Sequence, residues 1–340
     1  MSPAAVMAPD HACLATYGTM TPSPVAGLEE DYMLLADIEG MNAGNNQLGS
    51  GSFGEVQRVM WRQTPCAAKI AHASMDPQKK MLFLRELKLM ARIRHPNIVQ
   101  FLGFVEEPFI IVMELIPNGD LRSYWRSHKM SNGHKTTICI EVLRAIAYLH
   151  NRKPSSIIHR DIKPSNVLIT RSGVAKLTDF GLGRIYRGEG LDGSKHGEFK
   201  LVGITWDPTP STDCQQDTQG SPSSRRRTGR ASHEERVVED ATTVVGTEPY
   251  MAPEAASANY TEKIDIYSTA VTFYELFEQA NFDEDMPFAW ALAPVKLRQI
   301  IRQMGDPEPA ERPSALANID AFTATGLART PGTGRACSIC

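Results

Sequence analysis

A short polar stretch enclosed by apolar residues constrains this chain more than any other feature of its sequence. The stretch IIHRDIKPSNVLI, residues 157–169, carries eight mostly polar residues between two apolar, β-branched flanks. Flanks of this kind favour buried strands, so they anchor both ends of a polar loop. Asp161, Lys163 and Asn166 are therefore held close together, which favours a chemical role for the loop.

Size, charge and cysteine content limit the class of protein. The 340 residues suffice for a large domain or for two lobes with a shared cleft. A net charge of −3 gives no reason to expect a nucleic-acid partner. The six cysteines are scattered without metal-ligand spacing, which indicates reduced thiols and a cytoplasmic location. The sequence shows neither a signal peptide nor an apolar run long enough for a transmembrane segment.

Composition and periodicity divide the chain into segments. Residues 1–44 lack a sustained period, which predicts a disordered leader. Short strands and one helix indicate a small lobe over about 45–115, and helical patterns dominate about 116–323, so the predicted fold class is α+β. Within the second lobe, about 186–240 has little to bury and predicts a disordered insertion, and 324–340 predicts a flexible tail.

A glycine-rich segment begins the ordered part of the chain. LGSGSFGEV, Leu48–Val56, fits the pattern G-x-G-x-x-G-x-V at every fixed position. Glycines let the backbone approach a phosphate chain while the amide groups point towards it. Gly-rich hairpins are also common in proteins that bind no nucleotide, so this motif depends on the residues that follow it.

A buried ion pair is predicted between a strand and the first long helix. Asp76 and Pro77 predict a helix start, and the helix should continue to about Ile93. Glu86 lies on an otherwise apolar stripe of this helix, where an unpaired charge would cost about 3–5 kcal/mol. Lys69, in the predicted strand CAAKIA, is either a snorkelling edge-strand lysine or the partner of Glu86. The second interpretation indicates a phosphate site.

Six motifs follow one another along the chain, namely GSGSFGEV, CAAK, Glu86, HRDIKPSN, DFG and GTEPYMAPE. In this order they resemble the eukaryotic protein kinase family, and six in order leave chance below roughly one in a hundred. The resemblance covers about residues 45–323. It implies a two-lobed fold, with a β-rich N-lobe, a mostly helical C-lobe and an ATP cleft between them. HPNIVQFLG and ERPSA resemble the tyrosine-kinase-like group.

The resemblance implies a role for each polar residue of the site. Asp161 would accept or orient the proton of the substrate hydroxyl, and Lys163 would steady the transferred phosphate. Asn166 and Asp179 would supply oxygen ligands for Mg2+. Lys69 would hold the α- and β-phosphates of ATP. The residues implied to bind ATP are Leu48, Gly49, Ser50, Gly51, Ser52, Phe53, Gly54, Val56, Ala67, Lys69, Glu86, Met113, Glu114, Ile116 and Leu168.

Other residues are implied to be structural. His159 is expected to pack in the core, despite the catalytic aptitude of histidine. Asp265 is expected to cap backbone amides of the catalytic loop. Glu254 and Arg312 are expected to form a buried pair, because each charge would be costly alone. An internal column linking the lobes is implied for Met90, Phe101, His159 and Phe180.

The leading interpretation is an ATP-dependent serine/threonine protein kinase that acts on protein substrates. Lys163 and Thr247 resemble the pattern of the Ser/Thr-specific members. The alternative is a nucleotide-binding pseudokinase or signalling scaffold, which commonly lacks one or more of four residues. All four are present, namely Lys69, Asp161, Asn166 and Asp179. The peptide-positioning segment GTEPYMAPE disfavours a small-molecule phosphotransferase.

The segment between the last two motifs departs from the family. Asp179 and Glu254 lie 75 residues apart, more than twice the usual spacing. Each doubling of a flexible loop costs only about 0.6 kcal/mol, so the fold can carry the insertion. A shield over the cleft, a partner-binding segment, a phosphorylated segment and an unspliced stretch all stay open. Thr242 and Thr243, the latter favoured, are candidate sites for an activating phosphate that pairs with Arg160. An upstream kinase, or the protein itself in trans, would add it.

Three further features are weaker. RRRTGRAS offers Thr228 and Ser232 as basophilic phosphorylation sites, although a solvated charge run is the simpler interpretation. The stretch from APE to ERPSA is short, with little room for a substrate-docking helix. CSIC has the outline of a prenylation signal on Cys337, but its Ser and terminal Cys depart from the usual pattern. A single lipid would give only weak membrane association.

Overall fold

The N-terminal lobe is a six-stranded antiparallel sheet with one helix on one face. The computed structural model of the protein describes residues 25, 27–41, 46–51, 54–72, 75–186, 246–257, 260–283 and 285–329. The strands are β1 Ile38–Glu39, β2 Gln47–Gly51, β3 Gly54–Trp61, β4 Thr64–Ala71, β5 Phe101–Val105 and β6 Ile110–Glu114. Their order is β1-β3-β4-β6-β5, and β2 pairs with β3 as well.

Helix α1, Pro77–Met90, packs against this sheet and begins as the sequence predicts. Asp76 is the N-cap, and its side chain accepts a hydrogen bond from the Lys79 amide at 2.9 Å. Pro77 occupies the first helical position, where its missing N–H costs nothing. The helix ends at Met90, three residues before the predicted Ile93.

The C-terminal lobe is mostly helical. Its helices are α2 Leu121–Ser127, α3 Asn132–His150, α4 Lys263–Glu278, α5 Val295–Met304 and α6 Ala315–Ala324. Its strands are β7 Ser156–Ile158, β8 Val167–Ile169, β9 Ala175–Leu177 and β10 Arg184–Tyr186. Strand β8 pairs with β9, and β7 pairs with β10. Helix α4 is buried on most sides, as its nearly continuous apolar sequence predicts. The two-lobed α+β architecture is confirmed.

The ordered part of the chain begins before the predicted boundary at residue 45. Residues 27–41, which we name the N-terminal strap, form two short 3-10 turns followed by β1. Leu28, Met33 and Ile38 of the strap are buried. The prediction of a disordered leader over 1–44 is wrong for these residues, because their apolar side chains pack against the sheet without keeping a regular period.

The other boundaries differ from the predicted ones in smaller ways. Leu327 and Ala328 pack against the core beyond the predicted end at 323, and the Arg329 amide donates to Thr137 Oγ1 at 3.0 Å. The insertion predicted for about 186–240 lies within 187–245, which is outside the described residues. Four candidate phosphosites and the candidate lipidation site also lie outside them, namely Thr228, Ser232, Thr242, Thr243 and Cys337.

The stretch between α4 and α5 contains no helix among its described residues, 279–283 and 285–294. Aromatic side chains fill the space instead, and Tyr274 contacts the rings of Phe282, Phe288 and Trp290 edge-on, with centroids 5.0–5.7 Å apart. Gly305 is required beside them, because a Cβ there would lie 2.2 Å from Phe288 Cζ. This packing agrees with the expectation of little room for a docking helix.

Membrane insertion through a helix finds no support in the described residues. None of their helices combines the length and the apolar composition that crossing a bilayer requires.

Candidate active site

The polar loop between β7 and β8 is hydrogen-bonded to α4, the central helix of the C-lobe. Asp265 in α4 is fully buried, and its carboxylate accepts hydrogen bonds from the His159 amide at 2.9 Å and the Arg160 amide at 2.8 Å. His150 Nε2 lies 2.8 Å from the same carboxylate. Burial would raise the pKa of Asp265, but His150 and the loop amides outweigh it and lower the pKa. Asp265 therefore fixes the backbone beside Asp161.

Two side chains, those of Thr247 and Lys163, donate to the carboxylate of Asp161. Thr247 Oγ1 donates to Asp161 Oδ1 at 2.7 Å, and Lys163 Nζ lies 2.8 Å from Oδ2. Lys163 also donates to Thr247 Oγ1 at 2.7 Å. These contacts bring the segment GTEPYMAPE onto the loop, 86 residues away in sequence. Asp161 is thus oriented before any substrate hydroxyl arrives.

Asn166, at the other end of the loop, bonds back to Asp161 through its side chain. Its amide nitrogen donates to the Asp161 backbone oxygen at 2.7 Å and to Asp161 Oδ2 at 3.0 Å. With the nitrogen committed in this way, the amide oxygen is the atom of Asn166 that can bind a cation. Hydrogen bonds within the loop therefore orient the Asn166 side-chain oxygen, which is a candidate ligand for Mg2+.

The largely buried side chain of Lys69 contacts residues of both lobes. Its ammonium group lies 2.6 Å from Glu86 Oε2 in α1 and 3.2 Å from Asp179 Oδ1. Burial alone would lower the pKa of Lys69, but the two carboxylates outweigh it and raise the pKa above its usual value. Burial likewise works to raise the pKa of Asp179, and Lys69 outweighs it and lowers the pKa. The Lys69–Glu86 pair is thus formed as the sequence predicts.

The donor set fits magnesium bound together with phosphate. Asp179 supplies a carboxylate and Asn166 an amide oxygen, both of which are hard ligands that Mg2+ prefers. No group of three His, Cys, Asp or Glu side chains suited to a metal ion occurs within the described ranges. A site with few protein ligands is typical of Mg2+, which keeps waters and phosphate oxygens in its coordination shell.

Most of the residues that the resemblance implies for adenine and phosphate binding lie on strands of the N-lobe. Ala67 of β4 pairs in register with Met113 of β6, so both lie at the same level of the sheet. Gly54 lets the β2–β3 hairpin approach β4, because a Cβ there would lie 2.0 Å from the Ile70 carbonyl oxygen. Gly49, Ser50 and Gly51 lie in β2, Val56 in β3 and Leu168 in β8, while Leu48 is exposed and Ile116 buried. Ser52 and Phe53 lie outside the described residues.

The carboxylate and the amide of Glu114 already have partners in the protein, which limits how this residue can contribute to nucleotide binding. Its carboxylate binds Lys176 Nζ at 2.6 Å and accepts the Gln100 amide at 2.8 Å. Its own amide donates to the Gln100 carbonyl oxygen at 3.0 Å. The side chain and the amide therefore serve the local structure, and a contribution of Glu114 to nucleotide binding falls to its carbonyl group.

The residues interpreted as structural take the expected positions. The His159 ring packs against Phe180 with centroids 4.9 Å apart, and its Nε2 lies 3.0 Å from the Thr178 carbonyl oxygen. Phe180 shares one buried cluster with Met90 and Phe101, the other members of the predicted column. These contacts place the His159 imidazole in the core, where its Nδ1 also accepts a hydrogen bond from the Asp161 amide at 3.3 Å.

Sequence reasoning missed the second anchor of the loop, at Arg160. The buried guanidinium donates to the Leu182 carbonyl oxygen at 2.6 Å and to the Tyr260 hydroxyl at 2.7 Å. Burial, with Arg184 nearby, lowers the pKa of Arg160. Tyr260 lies 100 residues further along the chain and carries no motif, so no local signal pointed to it.

Known proteins that are similar to this chain in sequence are protein kinases. A family model described as protein kinase domain matches residues 43–197. The serine/threonine-protein kinase VIK of Arabidopsis thaliana is 31% identical over 251 residues, which are 72% of this chain and 47% of that protein. The serine/threonine-protein kinase CTR1 of the same plant is 37% identical over 148 residues, 41% of this chain and 18% of that protein.

A tyrosine kinase is similar over a longer stretch. The tyrosine-protein kinase FRK of Homo sapiens is 28% identical over 283 residues, which are 80% of this chain and 45% of that protein. The chain spans less than half the length of each of these three relatives. The matched family model, the relatives and the two-lobed fold agree with one another, and this chain belongs to the eukaryotic protein kinase family.

Proposed function

We propose that the protein is an active, ATP-dependent serine/threonine kinase that transfers the γ-phosphoryl group of ATP to a hydroxyl of a protein substrate. The observation that carries the proposal is the convergence of the reacting groups. Lys69 bridges Glu86 and Asp179 across the cleft, and Asp161 lies in the loop below, bound to Asn166. Phosphoryl transfer asks a protein mainly to position reactants and neutralise charge, and this set supplies both.

Each residue has a task that follows from its contacts. Asp161, oriented by Lys163 and Thr247, receives or orients the hydroxyl proton of the substrate. Lys163 adds a positive charge where the phosphoryl group passes, and Lys69 adds another at the phosphates of ATP. Asn166 and Asp179 would hold magnesium, whose charge would neutralise further phosphate charge.

The contacts of Thr247 support serine and threonine as acceptors. Its hydroxyl lies between Lys163 Nζ and Asp161 Oδ1, each at 2.7 Å, and so fixes the lysine beside the catalytic carboxylate. Lys163 and Thr247 are the two residues by which the chain resembles Ser/Thr-specific kinases, and both bond directly to Asp161. The relatives include kinases of both specificities.

The acceptor specificity can be tested with ATP, magnesium and three peptides that differ only in carrying Ser, Thr or Tyr at one position. We expect phosphoserine and phosphothreonine, identified after acid hydrolysis, and no phosphotyrosine. Phosphotyrosine as the main product would overturn the specificity and leave the kinase assignment intact. Binding of ATP without transfer to any peptide or to the protein itself would support the alternative of a pseudokinase or scaffold.

Regulation by phosphorylation is the second part of the proposal. The buried Arg160 guanidinium donates to uncharged groups of Leu182 and Tyr260, and both Arg184 and Asp265 lie near it, so an added anion would find a charged donor that has no direct carboxylate hydrogen bond among the described residues. A phosphate on Thr242 or Thr243 would bring a charge of about −1.5 to −2 to this basic site. Replacing both threonines by Ala is therefore expected to lower the transfer rate at least about fivefold, the lower range of coupling between sites.

The matched control for this prediction is the double variant Thr228→Ala, Ser232→Ala. Both residues lie in the same insertion, in the basic run RRRTGRAS. We expect this control to retain the wild-type rate. The measurement is transfer to a generic protein substrate, with phosphosites mapped by mass spectrometry before and after incubation with ATP. Full activity of the Thr242→Ala, Thr243→Ala protein would refute the regulatory role.

A further inference from the structure

The N-terminal strap covers the open edge of the sheet. Strand β5 is the last strand in the sheet order, so one of its edges is available to another segment. The Met33 amide donates to the Phe104 carbonyl oxygen at 2.8 Å, and Tyr32 forms a parallel bridge with the same residue. The Tyr32 ring also meets the Phe104 ring edge-on, with centroids 5.7 Å apart. The strap is therefore bonded to β5 through both backbone and side chains.

The strap also joins the two hydrophobic clusters on opposite faces of the sheet. Leu28 belongs to the cluster that contains Phe83 and Leu87 of α1. Met33 and Ile38 belong to the second cluster, on the other face. The strap thus crosses the β5 edge from one face to the other, and it buries side chains at both ends of the crossing.

The shape of β5 is matched to this crossing. A Cβ at Gly103 would lie 2.5 Å from Met33 Cε and 2.7 Å from the Asp31 carbonyl oxygen. Any side chain at this position would push the strap away, so the glycine is needed for close contact and not for an unusual backbone angle. The strap precedes residues 43–197, which match the kinase family model, so the strap lies outside the matched region and Gly103 inside it.

Strand β5, which the strap contacts, and helix α1, which shares a hydrophobic cluster with Leu28 of the strap and Phe104 of β5, are both connected to the active site. Helix α1 carries Glu86, the partner of Lys69. Strand β5 carries Phe101, which shares a buried cluster with Met90 and Phe180 beside the catalytic loop. We propose that the N-terminal strap is a positioning element, which braces β5 against α1 and thereby favours the arrangement in which Glu86 reaches Lys69. The inference rests on the proposed function, because ATP binding at Lys69 is what the strap would serve.

The inference predicts a difference between two neighbouring strap residues. Met33 is 6% exposed and Leu34 is 59% exposed, so Met33→Ser should loosen the strap and Leu34→Ser should not. For Met33→Ser in the full chain we expect binding of ATP and magnesium to weaken at least about fivefold by calorimetry. Amide hydrogen exchange in residues 77–90 should also become faster without nucleotide. Leu34→Ser should match the wild type in both measurements.

A second background separates positioning from general loss of stability. Because the strap acts through Glu86, adding Met33→Ser to Glu86→Gln should weaken ATP binding no further. Equal weakening in both backgrounds would show that the strap acts elsewhere and would overturn the inference. If Met33→Ser fails to fold, Gly103→Ala displaces the strap with a single methyl group and should give the same weakening and the same faster exchange. Wild-type binding by Gly103→Ala or by Met33→Ser would equally overturn it.

The binding measurement keeps this inference apart from the proposed function. A wild-type protein that binds ATP and transfers no phosphate contradicts the kinase activity, while the strap is still judged on the binding constants and exchange rates. A wild-type protein that binds no ATP with magnesium contradicts both.

Discussion

Asp161→Asn is expected to reduce phosphoryl transfer by about 10²- to 10⁴-fold, the usual contribution of a positioned general base. The amide keeps the size of the carboxylate but cannot accept a proton. It also offers one acceptor oxygen to the three donors that now share two, namely Lys163 Nζ, Thr247 Oγ1 and Asn166 Nδ2. One of these donors must therefore turn away, so the variant loses orientation as well as basicity.

The measurement for Asp161→Asn is transfer from ATP and magnesium to generic protein substrates and to the protein itself. Asp283→Asn is the matched control, because Asp283 is exposed on the C-lobe, and it should retain wild-type transfer. ATP binding should persist in both variants, since Lys69 is unchanged. Equal phosphate incorporation by the wild type and Asp161→Asn would refute the role assigned to this carboxylate.

Arg312→Met is expected to destabilise the fold by about 3 kcal/mol, the lower end of the cost of breaking a buried charge pair, because the Glu254 side chain left behind is 16% exposed. The Arg312 side chain is 1% exposed, and its Nη1 and Nη2 bond to the two oxygens of Glu254 at 2.6 and 2.9 Å. The guanidinium also donates to the Asp306 and Lys263 carbonyl oxygens at 2.6 and 3.0 Å. Methionine fills a similar volume but leaves Glu254 and these carbonyl groups unpaired.

Urea denaturation checks this second prediction through the shift of the midpoint at constant slope. Arg302→Met on the exposed side of α5 is the matched control and should shift the midpoint little. The double variant Glu254→Gln, Arg312→Met should lose less than the sum of the single losses, since neither partner is then left as an unpaired charge. A midpoint for Arg312→Met equal to that of the control would contradict the pairing.

The sequence was sufficient wherever a local pattern carries its own physical cause. Asp76 and Pro77 predict the start of α1 because capping and ring geometry act within one turn. The apolar flanks around residues 159–166 predict a fixed polar loop for the same reason. The Lys69–Glu86 pair followed from the cost of an unpaired buried charge, although the two residues lie on different elements.

Contacts that join distant segments without a periodic pattern could not be predicted in this way. Leu28, Met33 and Ile38 are spaced five residues apart, which is neither a helix nor a strand period, so the strap looked disordered. The Tyr260–Arg160 bond depends on the packing of α4 against β7 and not on either local sequence. Thr247 indicates the acceptor specificity in the sequence, but its bond to Asp161 joins residues 86 positions apart and leaves no local pattern.

The long segment between DFG and GTEPYMAPE is bonded to the rest of the C-lobe at both ends. Its start pairs with β7, and its end bonds to the catalytic loop, residues 159–166. At one end β10 pairs with β7, with Arg184 opposite Ile158, and at the other Thr247 bonds to Asp161. These two contacts fix the positions of the reacting groups independently of residues 187–245. The length of the intervening stretch can therefore vary without moving the reacting groups, while the proposed phosphate near its end still acts on them through Arg160.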